Sequence, residues 1–157
     1  MIIKGLVDED FVNYKVPSLF IGFPQCDFKC ERECGKKVCQ NSEMAKAPSI
    51  DVSPTWLANR YKANPITKAV VCGGLDPFVT FDDLKVFCAA FRLVTSDPIV
   101  IYTGYKEDEI AREVEELKQF APIVVKFGRF VPDSKTRYDE VLGVVLASEN
   151  QYAKEWI

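Results

Sequence analysis

The sequence predicts an α/β fold in which a mostly parallel sheet is covered on its faces. Three observations predict it: apolar runs of strand length recur along the chain, helical patterns alternate with them, and most runs are bounded by Gly, Pro or Asp. Alternation of this kind indicates βα units, whose strands pair in parallel. With 157 residues the chain is long enough to bury a core as one domain. We therefore expect a single domain over residues 1–157.

Five segments are predicted to be buried strands. Each is apolar over a strand-like length, and turn residues flank most of them. In chain order they cover residues 18–23, 68–74, 98–104, 122–128 and 140–147.

Three helices are predicted between these strands. Ser53 and Pro54 form an N-cap and first-turn pair that opens the first helix. Thr80, with Asp83 three residues later, resembles a capping box that opens the second helix. The third helix, over residues 105–120, has acidic residues in its first turn and one apolar face formed by Ile110, Val114 and Leu117.

Composition and charge exclude several classes of function. The net charge of −3 argues against a general nucleic-acid binder, which normally carries a basic surface. No apolar run is long enough to span a bilayer, and residues 1–15 are acidic where a signal peptide would be basic and then apolar. We therefore expect a cytoplasmic protein. Histidine is absent, which excludes histidine general bases and zinc sites that need histidine.

Four cysteines lie close together in a polar loop at about residues 24–41, with three, three and four residues between them: Cys26, Cys30, Cys34 and Cys39. A reducing cytoplasm disfavours disulfides. A structural zinc site would normally show two pairs of cysteines with two residues between the members of each pair. Iron–sulfur clusters tolerate more varied spacings, so the pattern favours an iron–sulfur cluster. Zinc and a thiol or disulfide role remain the alternatives.

The residues of this loop resemble a known family. The sequence C-D-F-K-C at residues 26–30, followed by C-Q-N at residues 39–41, resembles the cluster loop of radical S-adenosylmethionine (SAM) proteins. The resemblance is closest to the activating proteins of anaerobic ribonucleotide reductase, whose loop has the pattern C-x3-C-x2-C and ends in C-H-N. It extends over about residues 18–151 and implies an incomplete (β/α) barrel, or a curved and mostly parallel sheet, with the helices outside.

The same resemblance implies a set of metal ligands. In that family three cysteines bind a [4Fe–4S] cluster and leave one iron open for SAM. Here Cys26 and Cys30 match the first two ligands. Glu33 stands where strict spacing needs the third, so either Cys39 or Cys34 takes that role; Cys39 is favoured because C-Q-N imitates C-H-N. Four thiolate ligands would leave no open iron.

Three later segments match the family in order. The sequence GGLDP at residues 73–77 resembles the strand-end region that contacts the methionine amino group of SAM, and YTGY at residues 102–105 resembles the family's next strand end. KFGRF at residues 126–130, followed by LASENQ, resembles its late strand and polar ending. The cofactor-binding residues implied by the resemblance are Phe28, Gly73, Gly74, Asp76, Tyr102, Thr103, Asn150 and Gln151. Asp76 would accept from the ammonium group of SAM, and Phe28 would pack beside the cluster or the adenine.

The resemblance also implies an activity and partners. In the family, a reduced cluster cleaves SAM to a 5′-deoxyadenosyl radical, which abstracts a hydrogen atom from a glycine of a large glycyl-radical enzyme. No catalytic side chain is implied beyond the cluster and SAM. A flavodoxin- or ferredoxin-type protein would supply the electron. The alternatives are a radical SAM enzyme that acts on another peptide or small molecule, and a non-enzymatic protein with a closed four-cysteine iron–sulfur or zinc site.

Overall fold

A six-stranded sheet forms the centre of the fold. The structure is a computed structural model that describes residues 1–157. Four strands lie side by side in chain order and pair in parallel: β3 (Ser18–Phe23), β5 (Ala69–Gly74), β6 (Ile99–Tyr102) and β7 (Ile123–Phe127). An antiparallel strand flanks each edge of this group, β2 (Gly5–Asp10) beside β3 and β10 (Tyr152–Trp156) beside β7. The protein is therefore mixed α/β, with a mostly parallel central sheet.

Two small ribbons and five helices complete the chain. The ribbons pair β1 (Ile2–Ile3) with β4 (Ile50–Asp51) and β8 (Arg137–Asp139) with β9 (Val144–Leu146). The helices are α1 (Lys29–Cys34), α2 (Ser42–Lys46), α3 (Pro54–Ala63), α4 (Phe81–Arg92) and α5 (Ala111–Leu117). Short 3-10 turns precede α4 and α5. None of these helices has both the length and the apolar character needed to cross a membrane.

The sheet has two different faces. The larger core lies between the sheet and the helices: Ile99, Ile101 and Val125 of the strands pack with apolar residues of α3, α4 and α5. Successive right-handed βα crossovers along one direction of a sheet place all their helices on the same side. The opposite face carries a smaller core, where Val71 and Val100 pack with Leu142, Leu146 and other residues from outside the parallel strands. This second face leads to the site described below.

Most of the predicted elements are confirmed, the strands with shifts of one or two residues at their ends. The third predicted helix, over residues 105–120, is α-helical only over Ala111–Leu117, with 3-10 turns at Glu107–Ile110 and Lys118–Phe120 on either side. The helix opened by Ser53 is α3, and the Ser53 hydroxyl accepts a hydrogen bond from the Trp56 amide at 3.0 Å. The prediction of a capping box at Thr80 is wrong. The Thr80 side chain makes no capping bond, because the 3-10 turn over Pro77–Thr80 runs directly into α4.

The predicted strand over residues 140–147 is also wrong. Only Val144–Leu146 is extended, and it pairs in the small ribbon rather than in the central sheet. Gly143, with φ +71°, forms the turn before it. The segment is apolar because Leu142 and Leu146 cover the second face of the sheet, while Val145 points outward with 63% exposure.

Gly22→Ala is expected to destabilise the protein by about 3 kcal/mol, at the upper end of the usual cost of overpacking. Gly22 pairs with Gly5 across β3 and β2. A Cβ at position 22 would lie 2.8 Å from the Met44 sulfur, 2.9 Å from the Gly5 nitrogen and 3.0 Å from the Gly5 Cα. The Met44 side chain can turn aside, but the Gly5 backbone is held by its pairing with β3.

Gly5→Ala is the matched control for this prediction. A Cβ at position 5 meets only the mobile end of Met44 at 3.3 Å and the Gly22 Cα at 3.6 Å, so we expect a change within about 1 kcal/mol. Urea unfolding of the two variants compares the costs. If Gly22→Ala and Gly5→Ala lost equal amounts of unfolding free energy, the close approach of the Gly5 backbone to position 22 would not be the cause of the loss in Gly22→Ala.

Candidate iron–sulfur and ligand site

The carboxyl ends of the four parallel strands open onto one cavity of about 350 Å³. In sheets with βα connections, the loops at this end of the strands are where ligands usually bind. The walls of this cavity include the cysteine loop and the segments that follow β5, β6 and β7. Of the residues proposed from the sequence, those that line it are Cys26, Phe28, Cys30, Cys39, Gly73, Gly74, Asp76, Tyr102, Thr103 and Gln151.

Three of the four crowded cysteines face this cavity, and Cys34 does not. Cys34 ends α1, one helical turn after Cys30, and its thiol lies 3.8 Å from the Glu31 carbonyl and 3.6 Å from the Lys36 carbonyl of its own loop. The amide of Cys39 donates to the Glu31 carboxylate at 3.1 Å, which ties the end of the loop back to α1.

Backbone amides are directed at the sulfurs of Cys26 and Cys30. The Phe28 amide donates to Cys26 Sγ at 3.2 Å, and the Phe130 amide donates to Cys30 Sγ at 3.4 Å. Amide donors of this kind hold metal-binding sulfurs in place and favour their anionic form. Burial nevertheless raises the pKa of the Cys26 thiol, because desolvation outweighs this hydrogen bond. The first residue of the loop helix, Lys29, follows a left-handed Phe28 with φ 54°.

Asp76 is the most heavily bonded side chain of the cavity. Its Oδ1 accepts from the Phe78 amide at 3.1 Å, and its Oδ2 accepts from the Gly104 amide at 3.0 Å. The Thr103 hydroxyl lies 2.9 Å from both oxygens. The Lys29 ammonium donates to Oδ2 at 2.8 Å. The carboxylate therefore already has a cation and three further donors.

Lys29 joins the cysteine loop to the strand ends. It lies between Cys26 and Cys30 in the chain, is 3% exposed and contacts the Asp27 carboxylate at 2.8 Å as well as Asp76. Its ammonium lies 3.8 Å from the centre of the Tyr105 ring. Desolvation lowers the pKa of Lys29, but the charge of Asp76 and the hydrogen bonds to both carboxylates outweigh it and raise that pKa above its ordinary value.

The remaining residues proposed from the sequence are placed in different ways. Tyr102 donates its hydroxyl to the Asn13 carbonyl at 2.6 Å. Gln151 donates to the Gly128 carbonyl at 3.3 Å and accepts from the Ser148 amide at 3.2 Å. Asn150 lies away from the cavity, with its amide on the Arg129 carbonyl at 3.0 Å.

The sequence reasoning missed two lysines of the cavity, Lys29 and Lys126. Lys126 lies on β7, is 7% exposed and donates to the Gly128 carbonyl at 3.3 Å. A lysine inside the apolar strand sequence IVVKF was a signal that could have found it, because charged side chains are rarely buried without a reason.

Lys126→Met is expected to raise the unfolding free energy by about 3 kcal/mol near neutral pH, since a tenfold change in proton affinity corresponds to about 1.4 kcal/mol. Desolvation lowers the pKa of Lys126 from 10.5 to about 8. Below about pH 8 the folded protein therefore bears the full cost of a buried ammonium. As the pH rises from there to about pH 10.5, the folded protein releases its proton while the unfolded chain keeps it, so this cost disappears.

Urea unfolding of the original protein and of Lys126→Met, at about pH 7 and about pH 10.5, measures the difference between them. A difference that stayed constant over this range would contradict the expected titration.

The donor set at the mouth of the cavity fits an iron–sulfur cluster. Thiolates are the usual ligands of such clusters, and Cys26, Cys30 and Cys39 face one cavity. No three Cys, Asp or Glu side chains lie close enough together to hold a metal ion as placed. Binding a cluster would therefore require the loop to bring its sulfurs together.

Comparisons with known proteins agree with this donor set. A family model described as a 4Fe-4S single cluster domain matches residues 17–152. Searches of the curated proteins and of the solved structures each find no match to this chain.

Proposed function

The chain belongs to the 4Fe-4S single cluster domain family, and from this premise we propose that it is a radical SAM activase. It would use a [4Fe–4S] cluster and SAM to abstract a hydrogen atom from a glycine of a partner glycyl-radical enzyme. The partner is proposed to be an anaerobic ribonucleotide reductase. The observation that carries the proposal is the meeting of three loop cysteines with the Gly73–Gly74 strand end in one cavity.

Cys26, Cys30 and Cys39 would hold the cluster, with Cys34 as the alternative third ligand. The amides of Phe28 and Phe130 donate to the first two sulfurs and would hold them in place for iron. Gly73 and Gly74 line the cavity, and Gly74 adopts the positive φ of 80° that favours glycine. The space where a Cβ of Gly74 would stand is filled by the Met44 sulfur. Phe28, with 36% exposure at the cavity, would limit the access of water.

When bound, a reduced [4Fe–4S] cluster would supply one electron to SAM, whose C5′–S bond would break to release methionine and a 5′-deoxyadenosyl radical able to take a hydrogen atom. The chain's own residues bind and orient these groups, as proteins do around a cofactor that carries the difficult chemistry. We propose a flavodoxin- or ferredoxin-type protein as the source of the electron. Because these electron donors operate in the cytoplasm, we also propose a cytoplasmic location for the protein.

A large substrate is consistent with the surroundings of the cavity. Val12 and Val145 line it and are 72% and 63% exposed, so apolar side chains border its mouth. We also propose that the sheet and its helices form an incomplete (β/α) barrel of the radical SAM kind. A radical SAM enzyme that acts on another peptide or small molecule would share all these features.

One observation favours a second function, a non-enzymatic protein with a closed four-cysteine iron–sulfur or zinc site. Cys34 follows Cys30 by one turn of α1. Bringing its thiol to the other cysteines would therefore need a rotation of the Cys34 side chain, which is a smaller change than refolding of the loop. In such a site no iron would be open to SAM.

Anaerobic reconstitution followed by electron paramagnetic resonance (EPR) spectroscopy tests these functions. The activase is expected to show a reduced [4Fe–4S] signal that changes when SAM is added, and to form 5′-deoxyadenosine. Cys30→Ala, reconstituted in the same way, is the control for iron bound outside the site. A cluster signal that SAM leaves unchanged, with no 5′-deoxyadenosine, would rule out both enzyme functions; tightly bound zinc in protein purified without oxygen would favour the closed site.

A further inference from the structure

The side chain of Met44 fills a notch in the central sheet. Three glycines of neighbouring strands form this notch: Gly5 of β2, Gly22 of β3 and Gly74 of β5. Cβ atoms built on these glycines would lie, in chain order, 3.8, 2.8 and 2.3 Å from the Met44 sulfur. The sulfur therefore occupies space that a larger residue at position 22 or 74 would need. Methionine suits such a gap because its unbranched side chain adapts to irregular surroundings.

Met44 belongs to the short helix α2, which directly follows the cysteine loop. The helix begins at Ser42, immediately after the C-Q-N sequence of residues 39–41. A second contact holds the same helix, because the Lys4 ammonium donates to the Ala45 carbonyl at 2.6 Å. A helix of five residues is not stable by itself. Its contacts with the sheet therefore decide where α2 lies, and with it the end of the cysteine loop.

The segment between α1 and α2 is the part of the loop that has to move when a cluster binds. As placed, no three side chains are close enough together to hold a metal ion. Backbone amides hold the sulfurs of Cys26 and Cys30, whereas Cys39 is held through its own amide, by the Glu31 carboxylate. The segment leaves α1 at Gly35, which has φ +70° and no atom within 4 Å of its Cβ position. A movement of Cys39 toward the other sulfurs would therefore turn about Gly35 and start from a fixed point at α2.

We propose that Met44 is a positioning residue for the third metal ligand, Cys39. Seated among the three glycines, its side chain holds α2 on the sheet and fixes the end of the segment that carries Cys39 to the metal. Cys39 is a metal ligand in the proposed function, and this role of Met44 rests on that function. Met44 does not line the cavity, so it acts through the backbone and contacts neither the cluster nor its ligand.

Met44→Ala tests this role in protein reconstituted without oxygen. Loss of iron to a chelator is expected to be about tenfold faster or more than in the original protein, the usual effect of removing a group that orients a metal ligand. The EPR signal of the reduced cluster is expected to change, because the Cys39 sulfur is less constrained. In the metal-free protein, hydrogen exchange of the Ala45 and Ala47 amides, which bond within α2, is expected to quicken because the helix opens more often.

Faster exchange with an unchanged EPR signal and an unchanged rate of iron loss would show that Met44 only stabilises α2, and would overturn the positioning role. An unchanged rate of exchange would show that Met44 does not hold α2, and would overturn it as well.

Two controls separate the shape of the side chain from its chemistry and from general destabilisation. The chain has two methionines, Met1 and Met44, so growth on norleucine replaces both with a residue of similar shape that lacks sulfur. The norleucine protein is expected to retain iron like the original; loss as fast as in Met44→Ala would indicate that the thioether itself binds the metal. Val114→Ala shortens a buried side chain of the larger core, in α5, and is expected to leave iron loss unchanged. Equally fast loss in this variant would attribute the effect of Met44→Ala to general destabilisation. Either of these contrary results overturns the positioning role.

Co²⁺ binding to the metal-free protein separates failure of this role from failure of the proposed function. Thiolate ligation of Co²⁺ gives strong visible absorption and requires no cluster. If no cluster forms in the original protein, the activase is left without support, but a Co²⁺ affinity that falls about tenfold in Met44→Ala would still support the role of Met44. Equal Co²⁺ affinity in the two proteins, or no binding of Co²⁺ to either, would overturn it.

Discussion

Cys39→Ala is expected to lose the iron bound on anaerobic reconstitution, whereas Cys34→Ala is expected to retain nearly all of it. Cys39 lines the cavity together with Cys26 and Cys30, while Cys34 lies outside it with its thiol near two carbonyls of its own loop. A cluster held by three thiolates does not survive the loss of one of them, and Cys34, the remaining cysteine of the loop, lies outside the cavity. Iron and acid-labile sulfide per chain, with the visible absorbance of the cluster, measure the difference.

Cys88→Ala is the control for general effects of removing a thiol. Cys88 is fully buried in α4 among the larger core, so its replacement alters packing but leaves iron binding intact. The opposite pattern, in which Cys34→Ala loses iron and Cys39→Ala keeps it, would assign the third ligand to Cys34. Loss of iron in both variants would indicate the closed four-cysteine site.

Asp76→Ala is expected to lower the unfolding free energy of the metal-free protein by about 4 kcal/mol, the usual cost of breaking a buried ion pair. The substitution leaves the Lys29 ammonium buried without its nearest buried counter-charge. It also leaves the Phe78 and Gly104 amides and the Thr103 hydroxyl without this acceptor. Equilibrium unfolding in urea, followed by circular dichroism, gives the value.

Asp27→Ala provides the comparison, because Asp27 is the other acid on Lys29 and is 31% exposed at its side chain. Water can take over its contacts, so a loss within about 1 kcal/mol is expected. In the Lys29→Met background, Asp76→Ala is expected to cost clearly less, since no buried cation is then left alone. Equal costs for the two acids in the original protein would contradict the role given to Asp76.

The parallel strands were predictable because each is buried on both faces and is therefore a continuous apolar run. The edge strands were not predicted. β2 reads GLVDED and β10 reads YAKEW, polar sequences without the continuous apolar run of a buried strand, and their extended form depends on pairing with β3 and β7. Residues 140–147 were mistaken for a central strand because apolar content alone does not distinguish a strand from a segment that covers a sheet.

The site was predictable in its local parts. The cysteine spacing and the glycine pair are short motifs that can be read directly from the chain. The state of Asp76 could not be read in this way, because Lys29 lies 47 residues before it and its other side-chain donor, Thr103, lies 27 residues after it. Whether a carboxylate is free or paired depends on contacts that only the folded chain makes. Asn150 shows the same limit, since its side chain binds the Arg129 carbonyl rather than the cavity.

The amide that holds the Cys30 sulfur belongs to Phe130, 100 residues later in the chain. During synthesis the cysteine loop leaves the ribosome long before that residue, and contacts over such a separation form late in folding. The nascent loop is therefore a flexible group of thiols without its final donor. Iron delivery should follow completion of the sheet through β7, and a chain stopped before that point would expose cysteines open to oxidation or to the wrong metal.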